Sequence, residues 1–279
     1  MAEGIENGGR RRVLGQLLAL PASAALCTPW AGAAGLADKA GQVDPPRTRG
    51  TLRIALEGTY PPFNFTDPAS GQLTGYDVDV ARTVATRMGL EPQFVLTEWS
   101  EILPALRAGR VDVAISQVII TPQRANAFDF SAPYCYSQSQ LILRENERAT
   151  YRTLADLKGR KLGVHQSSVF EAQARAVPGI EIKRYPAVPE KLQDLAFGRI
   201  DAVLDDSLLV GYLINQTQLP LKAGARIGPP ERVGIAMHKG RSVLKLAIDK
   251  ALREARSDGT LRALSLKWFG HDASSMPPS

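Results

Sequence analysis

Residues 101–115 read EILPALRAGRVDVAI, and residues 190–204, EKLQDLAFGRIDAVL, align on them without a gap. Glu101/Glu190, Leu103/Leu192, Leu106/Leu195, Gly109/Gly198, Arg110/Arg199 and Asp112/Asp201 match. Each copy describes one unit: apolar residues at helical spacing, a glycine that ends the helix, then an apolar strand. Helix–turn–strand units share their chemistry, so a chance likeness is the alternative. We read the repeat as two similarly built lobes.

The flanking sequence extends the same pattern. LRIAL (52–56) is a predicted strand, and GYDVDVARTVATRMG places Val80, Val84 and Met88, with Ala81 and Ala85, on one helical face that Gly89 ends. QFVLTEW is a second strand, the helix of 101–109 is expected to be capped by Ser100, and VDVAISQV is a near-continuous buried strand. Between the copies, LADLKGRKLGVHQSS supplies a short helix, a strand and a polar turn that opens another helix. After the second copy come the strand GIAMHKG and two amphipathic helices in SVLKLAIDKALREARSDGTLRALSLKWFG. Strands alternating with helices, with the strands apolar on both faces, specify α/β architecture with mostly parallel sheets.

The chain has 279 residues, 44% of them hydrophobic, enough for one large domain or two smaller ones. The formal charge of +6 is spread out. There is no basic run beyond Arg10-Arg11-Arg12 and no aromatic–basic interleaving, so nucleic acid is excluded as an expected partner. Those arginines precede VLGQLLALPASAALC, an apolar stretch short for a membrane span and followed by small residues. Residues 1–37 therefore read as an export signal, and RRRVL also fits the twin-arginine pattern; a short buried helix is the alternative. Residues 38–49 form an expected flexible leader. Cys27 belongs to the signal or its boundary, which leaves Cys135 alone; neither a disulfide nor a zinc site is expected from one Cys and three scattered His.

In open parallel sheets, ligands bind beyond the carboxyl ends of strands, where the next helices begin. The two copies put Ser116-Gln117 and Asp205-Asp206 at those ends. Thr121 can cap a helix with Pro122 at its first position, which brings Arg124 into the first turn. Free N–H groups and a guanidinium would then converge on a carboxylate. The bland role for Arg124 is an ion pair with Asp129. Ser167-Ser168 hold the equivalent place in the other lobe, as simple caps or as donors to the same carboxylate. Asp206 is an acceptor suited to an ammonium group, or alternatively a turn former.

The segments EGTYPPFNF, LTGYDVDVA, SQVIITPQRANAFDFSAPY, LADLKGRKLGV, LQDLAFGRIDAVLDD and DGTLRALSLKWFG, in this order, resemble the polar amino-acid solute-binding proteins of ABC importers, also called the bacterial extracellular solute-binding proteins of family 3. The likeness spans about residues 50–272, and EGTYPPF, the TEW turn and the spaced QV-I-TP-R lie nearest the cystine-binding subgroup. It implies a periplasmic-binding-protein fold of type II: two lobes joined by two crossing strands that close on an amino acid. It implies lobe 1 from 50–138 and 235–272, lobe 2 from 139–234, and a tail at 273–279. Hinges are expected near Tyr136–Gln140 and Gly228–Gly234.

The same resemblance implies that Arg124 grips the α-carboxylate with backbone N–H around Ile119, capped from lobe 2 by Ser168-Val169. It implies that Asp206 takes the α-ammonium with a carbonyl of Ser116 or Gln117. Tyr60 and Trp99 would flank the ligand, Glu57 would meet its side chain, and His165 would fall at a lateral position. HQSSVFE departs from the usual Gly-Thr turn, and Ile119 replaces a common Ser or Thr. The resemblance further implies a monomeric periplasmic receptor, with no cofactor, that hands its ligand to a membrane ABC permease. The competing class is an enzyme resembling cyclohexadienyl dehydratase on the same fold, for which Glu57 and His165 are the only candidate acid or base.

Overall fold

The computed structural model describes residues 50–216 and 219–277. The signal and leader readings, Cys27 included, lie outside the described residues. In chain order, β1 (Thr51–Leu56) leads into a small antiparallel sheet of β2 (Thr59–Tyr60), β3 (Asn64–Thr66) and β4 (Leu73–Thr74). Then come α1 (Tyr76–Arg87), β5 (Glu91–Leu96), α2 (Trp99–Arg107), β6 (Val113–Ala114), α3 (Pro122–Ala127) and β7 (Phe128–Phe130). The long β8 (Cys135–Arg144) is followed by β9 (Lys161–His165), α4 (Val169–Arg175), β10 (Glu181–Tyr185), α5 (Val188–Ala196), β11 (Ala202–Asp206) and α6 (Ser207–Gln216). The chain ends with β12 (Leu221–Val233), β13 (Ala236–His238), α7 (Ser242–Ser257) and α8 (Thr260–Phe269).

Two five-stranded sheets result, ordered β5-β1-β6-β13-β7 and β10-β9-β11-β8-β12. Their strand directions match. In each, the first three strands run parallel, and the fourth is antiparallel to the third. The repeat of the sequence is a repeat of structure down to single hydrogen bonds. Asp112 accepts from the Arg53 N–H at 3.0 Å and its counterpart Asp201 accepts from the Lys161 N–H at 2.8 Å. Gly109 and Gly198 both end their helices with left-handed φ, 68° and 74°.

Packing follows the predicted faces. Val80, Ala81, Val84 and Ala85 of α1 are fully buried, each valine worth about 1.5–3 kcal/mol out of water. Beneath α1, one buried polar network ties the strand ends together. Asn64 accepts from the N–H groups of Glu57 and Gly58 and donates to Asp77 (2.9 Å) and Ser116 (3.3 Å). Tyr134 donates to the other Asp77 oxygen at 2.7 Å. Burial pushes Asp77 up to about 6, and these hydrogen bonds hold part of the rise back.

Two local expectations change. Ser100 is not the cap of α2: the helix starts at Trp99 with Glu98 before it and no side-chain cap bond, so Ser100 lies inside the first turn. The stretch VDVAISQV is also not one long strand, since only Val113–Ala114 pair within the sheet. Residues after them swing away and fasten to the end of β12. Ile119 bridges Val233, the Ile120 N–H donates to the Arg232 carbonyl at 2.8 Å, and the Gly234 N–H donates to Val118 at 3.1 Å. Apolarity marks burial there, whereas the ladder partner comes from a remote strand.

Gly75 shows how tightly α1 is seated. Its φ is 128°, and an added Cβ would lie 2.2 Å from the Phe63 carbonyl oxygen, which accepts from the Asp77 N–H. Gly109 has an ordinary left-handed φ of 68° and open space around it. Gly75→Ala is expected to cost at least about 3 kcal/mol in urea unfolding, from backbone strain plus a clash with main chain. Gly109→Ala is expected to cost about 1–2 kcal/mol, from strain alone. Equal losses at the two positions would count against a close-approach role for Gly75.

Candidate functional site

The carboxyl ends of β6 and β11, one from each sheet, face a shared cavity lined by Tyr60, Trp99, Gln117, Ile119, Arg124, His165, Ser168, Val169, Phe170 and Asp206. Nine of the residues predicted from sequence, Gln117 among them, thus come from several elements of both lobes and meet there. Glu57 and Ser116 are buried beside the cavity rather than on its wall.

Arg124 is placed by α3. Thr121 caps that helix, accepting from the Arg124 N–H at 3.2 Å, with Pro122 at the first position as expected. The guanidinium donates to the Ile119 carbonyl at 3.0 Å and lies 5.4 Å above the Trp99 ring. Burial lowers its pKa to about 10, so it stays cationic at neutral pH. The alternative partner, Asp129, is engaged elsewhere: it pairs with Lys239 at 3.2 Å and accepts from the Gly240 N–H. Arg124 instead feels Glu231, a half-buried carboxylate on β12 held by Ser139 and Gln173.

In the other lobe, Ser168 caps α4. It accepts from the Glu171 N–H at 3.2 Å and donates to the His165 carbonyl at 2.6 Å. The preceding Ser167 has φ 60°, and Gln117 has φ 50°; these are the non-glycine residues of positive φ among the described residues. Both follow a strand end at the cavity, one per lobe. Held left-handed turns cost about 1–3 kcal/mol each, and such strain clusters at sites that need it.

Asp206 ends β11. Its Oδ1 accepts from the Leu208 N–H at 2.8 Å, while Oδ2 has no hydrogen-bond partner of ordinary geometry among the described residues. Burial pushes its pKa up to about 7, and the nearby Ser137 hydroxyl offsets only part of that. Glu57 resembles it: Oε1 accepts from Thr59 at 2.9 Å, Oε2 is buried without a partner, and burial raises the pKa to about 7. His165 lies 3.8 Å from Glu57, with Nε2 against the Pro186 carbonyl at 2.8 Å. Burial, aided by Lys191, lowers the imidazole to about 4, so it is neutral and its Nε2 donates to Pro186. The cavity therefore joins a fixed cation from one lobe to a buried carboxylate from the other, with unsatisfied acceptors at Glu57 and Gln117. Such a set has the chemistry to receive a zwitterion with further donors.

Sequence reasoning placed Asp205 at a strand end without giving it a role, and it missed Lys191. Both are buried, and the Lys191 ammonium contacts the Asp205 carboxylate. The signal was present in the repeat: Lys191 stands where the first copy has Ile102, itself fully buried. A lysine at a core position of an otherwise matching helix requires a buried anion.

The sequence pattern of the "Bacterial extracellular solute-binding proteins, family 3" matches residues 52–271. The "L-cystine-binding protein TcyJ" of Escherichia coli strain K12 is 40% identical over 227 residues, covering 81% of this chain and 85% of that one. Among solved structures, an ancestral arginine-binding protein bound to arginine superposes with a TM-score of 0.75 at 36% identity, over 80% of this chain and 99% of its own. The ancestral amino acid-binding protein AncCDT-1, a precursor of cyclohexadienyl dehydratase, gives a TM-score of 0.74 at 32% identity, over 79% and 96%.

The raised carboxyl groups fix the sign of a pH effect on the ligand-free chain. Asp206 binds its proton more tightly folded than unfolded, so this stabilisation is complete below its ordinary value of 3.8 and is lost as pH rises through about 7. Glu57 acts alike between 4.5 and about 7. His165, shifted down, does the reverse: its contribution is present above 6.5 and lost as pH falls toward about 4. Asp206→Asn is thus expected to lose less stability than the wild type when urea midpoints are compared from pH 5 to pH 8. Parallel pH profiles would show that Asp206 titrates normally.

Proposed function

The chain belongs to the bacterial extracellular solute-binding proteins, family 3, and from that premise we propose that it traps a polar amino acid between its lobes and delivers it to a membrane ABC permease. It is a binding protein and not an enzyme, as its relatives are. We place it in the periplasm as a monomer, with residues 1–37 removed on export. The lobes in this reading are 50–138 with 235–272, and 139–234.

One observation carries the ligand class: Arg124 and Asp206, whose Oδ2 has no hydrogen-bond partner of ordinary geometry among the described residues, line the same cavity from different lobes. The α-carboxylate lies on Arg124, assisted by N–H groups near Ile119 and at Ser168-Val169. The α-ammonium lies on Asp206, with a carbonyl of Ser116 or Gln117 completing its shell. Tyr60 and Trp99 hold the ligand's body, and Glu57 and His165 mark the end of the side-chain pocket. The unsatisfied acceptors at Glu57 and Gln117 favour a side chain carrying more donors, such as the second ammonium of cystine or the guanidinium of arginine. L-cystine is the first ligand to test, because of the name of the relative at 40% identity. The dehydratase reading would rest on Glu57 or His165 as its acid or base, and the curated relatives are named as binding proteins instead.

Titration calorimetry with L-cystine, L-arginine and the other amino acids tests the assignment. Arg124→Lys keeps the charge but loses the planar fork and is expected to cost about 1–2 kcal/mol of affinity; Arg124→Ala, about 2–5 kcal/mol. Asp206→Asn is expected to cost about 2–5 kcal/mol, and the N-acetylated ligand should not bind the wild type. Wild-type affinity in Arg124→Ala, or equal binding of the acetylated ligand, would sink the zwitterion site.

A further inference from the structure

The ligand reading uses Asp206 and leaves its neighbour unexplained. Asp205 is buried, and both its oxygens are engaged. Oδ2 contacts the Lys191 ammonium, and Oδ1 accepts from the Asp206 N–H and from the Tyr60 hydroxyl, each at 2.8 Å. The first two partners belong to the second sheet's lobe. Tyr60 belongs to β2, beside the first sheet. Its hydroxyl bond therefore crosses the cleft.

We propose that Asp205, held by Lys191, is a positioning residue that latches the two lobes through Tyr60 and aligns Asp206 in the same step. Three features carry this. Lys191 occupies the repeat position of Ile102, so this lobe replaces an apolar core contact with a buried charge, which is costly unless the charge serves a partner. Lys191 belongs to the same lobe as Asp205, so their contact does not depend on the lobes meeting, and an acceptor already fixed by a cation waits at the cleft for Tyr60. Tyr60 is equally prepared within its own lobe: its ring packs on the buried Phe63 with centroids 4.8 Å apart. Little side-chain ordering remains when the lobes meet.

The latch involves no ligand atom. The ring of Tyr60 lines the cavity while its hydroxyl is spent on Asp205. Closure is then shared between ligand and protein, and the unliganded chain visits the closed form. Because Asp205 also accepts from the Asp206 N–H, the contact that brings the lobes together sets the backbone that presents the ammonium acceptor.

The inference rests on the two-lobed receptor reading, and its test separates the two. Spin labels on Thr86→Cys and Gln193→Cys, in the full chain with Cys27→Ser, report the distance between the lobes by pulsed dipolar spectroscopy. Without ligand, the wild type should populate the distance of this structure. Tyr60→Phe keeps the ring and should lower the closed-to-open ratio about tenfold or more, the usual worth of a hydrogen bond to a charged group. Saturating L-cystine should restore closure, with its dissociation from Tyr60→Phe about tenfold faster than from the wild type. The double variant Lys191→Met/Asp205→Asn offers a neutral acceptor and should shift the ratio in the same direction, but less. Identical ligand-free distances in the wild type and Tyr60→Phe would overturn the latch, as would a wholly open ligand-free wild type. A double variant that melts earlier with unchanged distances would reduce the pair to a brace of the lobe core. Failure of L-cystine and every other amino acid to alter the distances would count against the receptor reading, while the ligand-free comparison would still decide the latch.

Discussion

A carboxylate withdrawn from water must find a cation or several donors, and this chain meets that demand in three ways. Asp77 is satisfied by Asn64 and Tyr134, and the network it anchors fixes the strand ends. Asp205 is satisfied by a lysine from its own lobe and a tyrosine from the other. Asp206 is left with an open oxygen. In the proposed reading, scaffold, closure and recognition thus use the same physical demand, met completely, met across a gap, or left for a guest.

Most of the architecture was legible because it is written twice. The two copies share not only apolar spacing but the aspartate that accepts from the first strand and the glycine that ends the helix, so one reading of the unit served both sheets. Arg124 and Ser168 were legible for a local reason: a helix start announces itself through Thr121-Pro122 and through a serine after a strand. Ser100 misled on the same logic. A serine near a helix start is a cap only if the backbone turns there, and α2 begins earlier, after Glu98.

What could not be read is long-range. The apolar run after β6 has the composition of a strand, yet its partner is the end of β12, more than a hundred residues away in sequence, and no local pattern names it. The left-handed turns at Gln117 and Ser167 are equally silent, because neither residue is the glycine or asparagine that normally marks such a turn. Tyr60 could be placed beside a ligand by resemblance, but its bond to Asp205 joins residues that meet only once both lobes are folded.

The position of β13 has a consequence for the order in which the chain assembles. In the first sheet this strand lies between β6 and β7, although it follows the whole second sheet in sequence. Chain made from the amino end can therefore complete every strand of the second sheet while the first still has a vacant slot between β6 and its edge strand β7. Until residues 236–238 arrive, β7 has no neighbour to pair with, and the facing edge of β6 carries unpaired backbone groups. The half-finished molecule is a folded unit tethered to an unfinished one, a species prone to pairing with other chains and a natural client for chaperones.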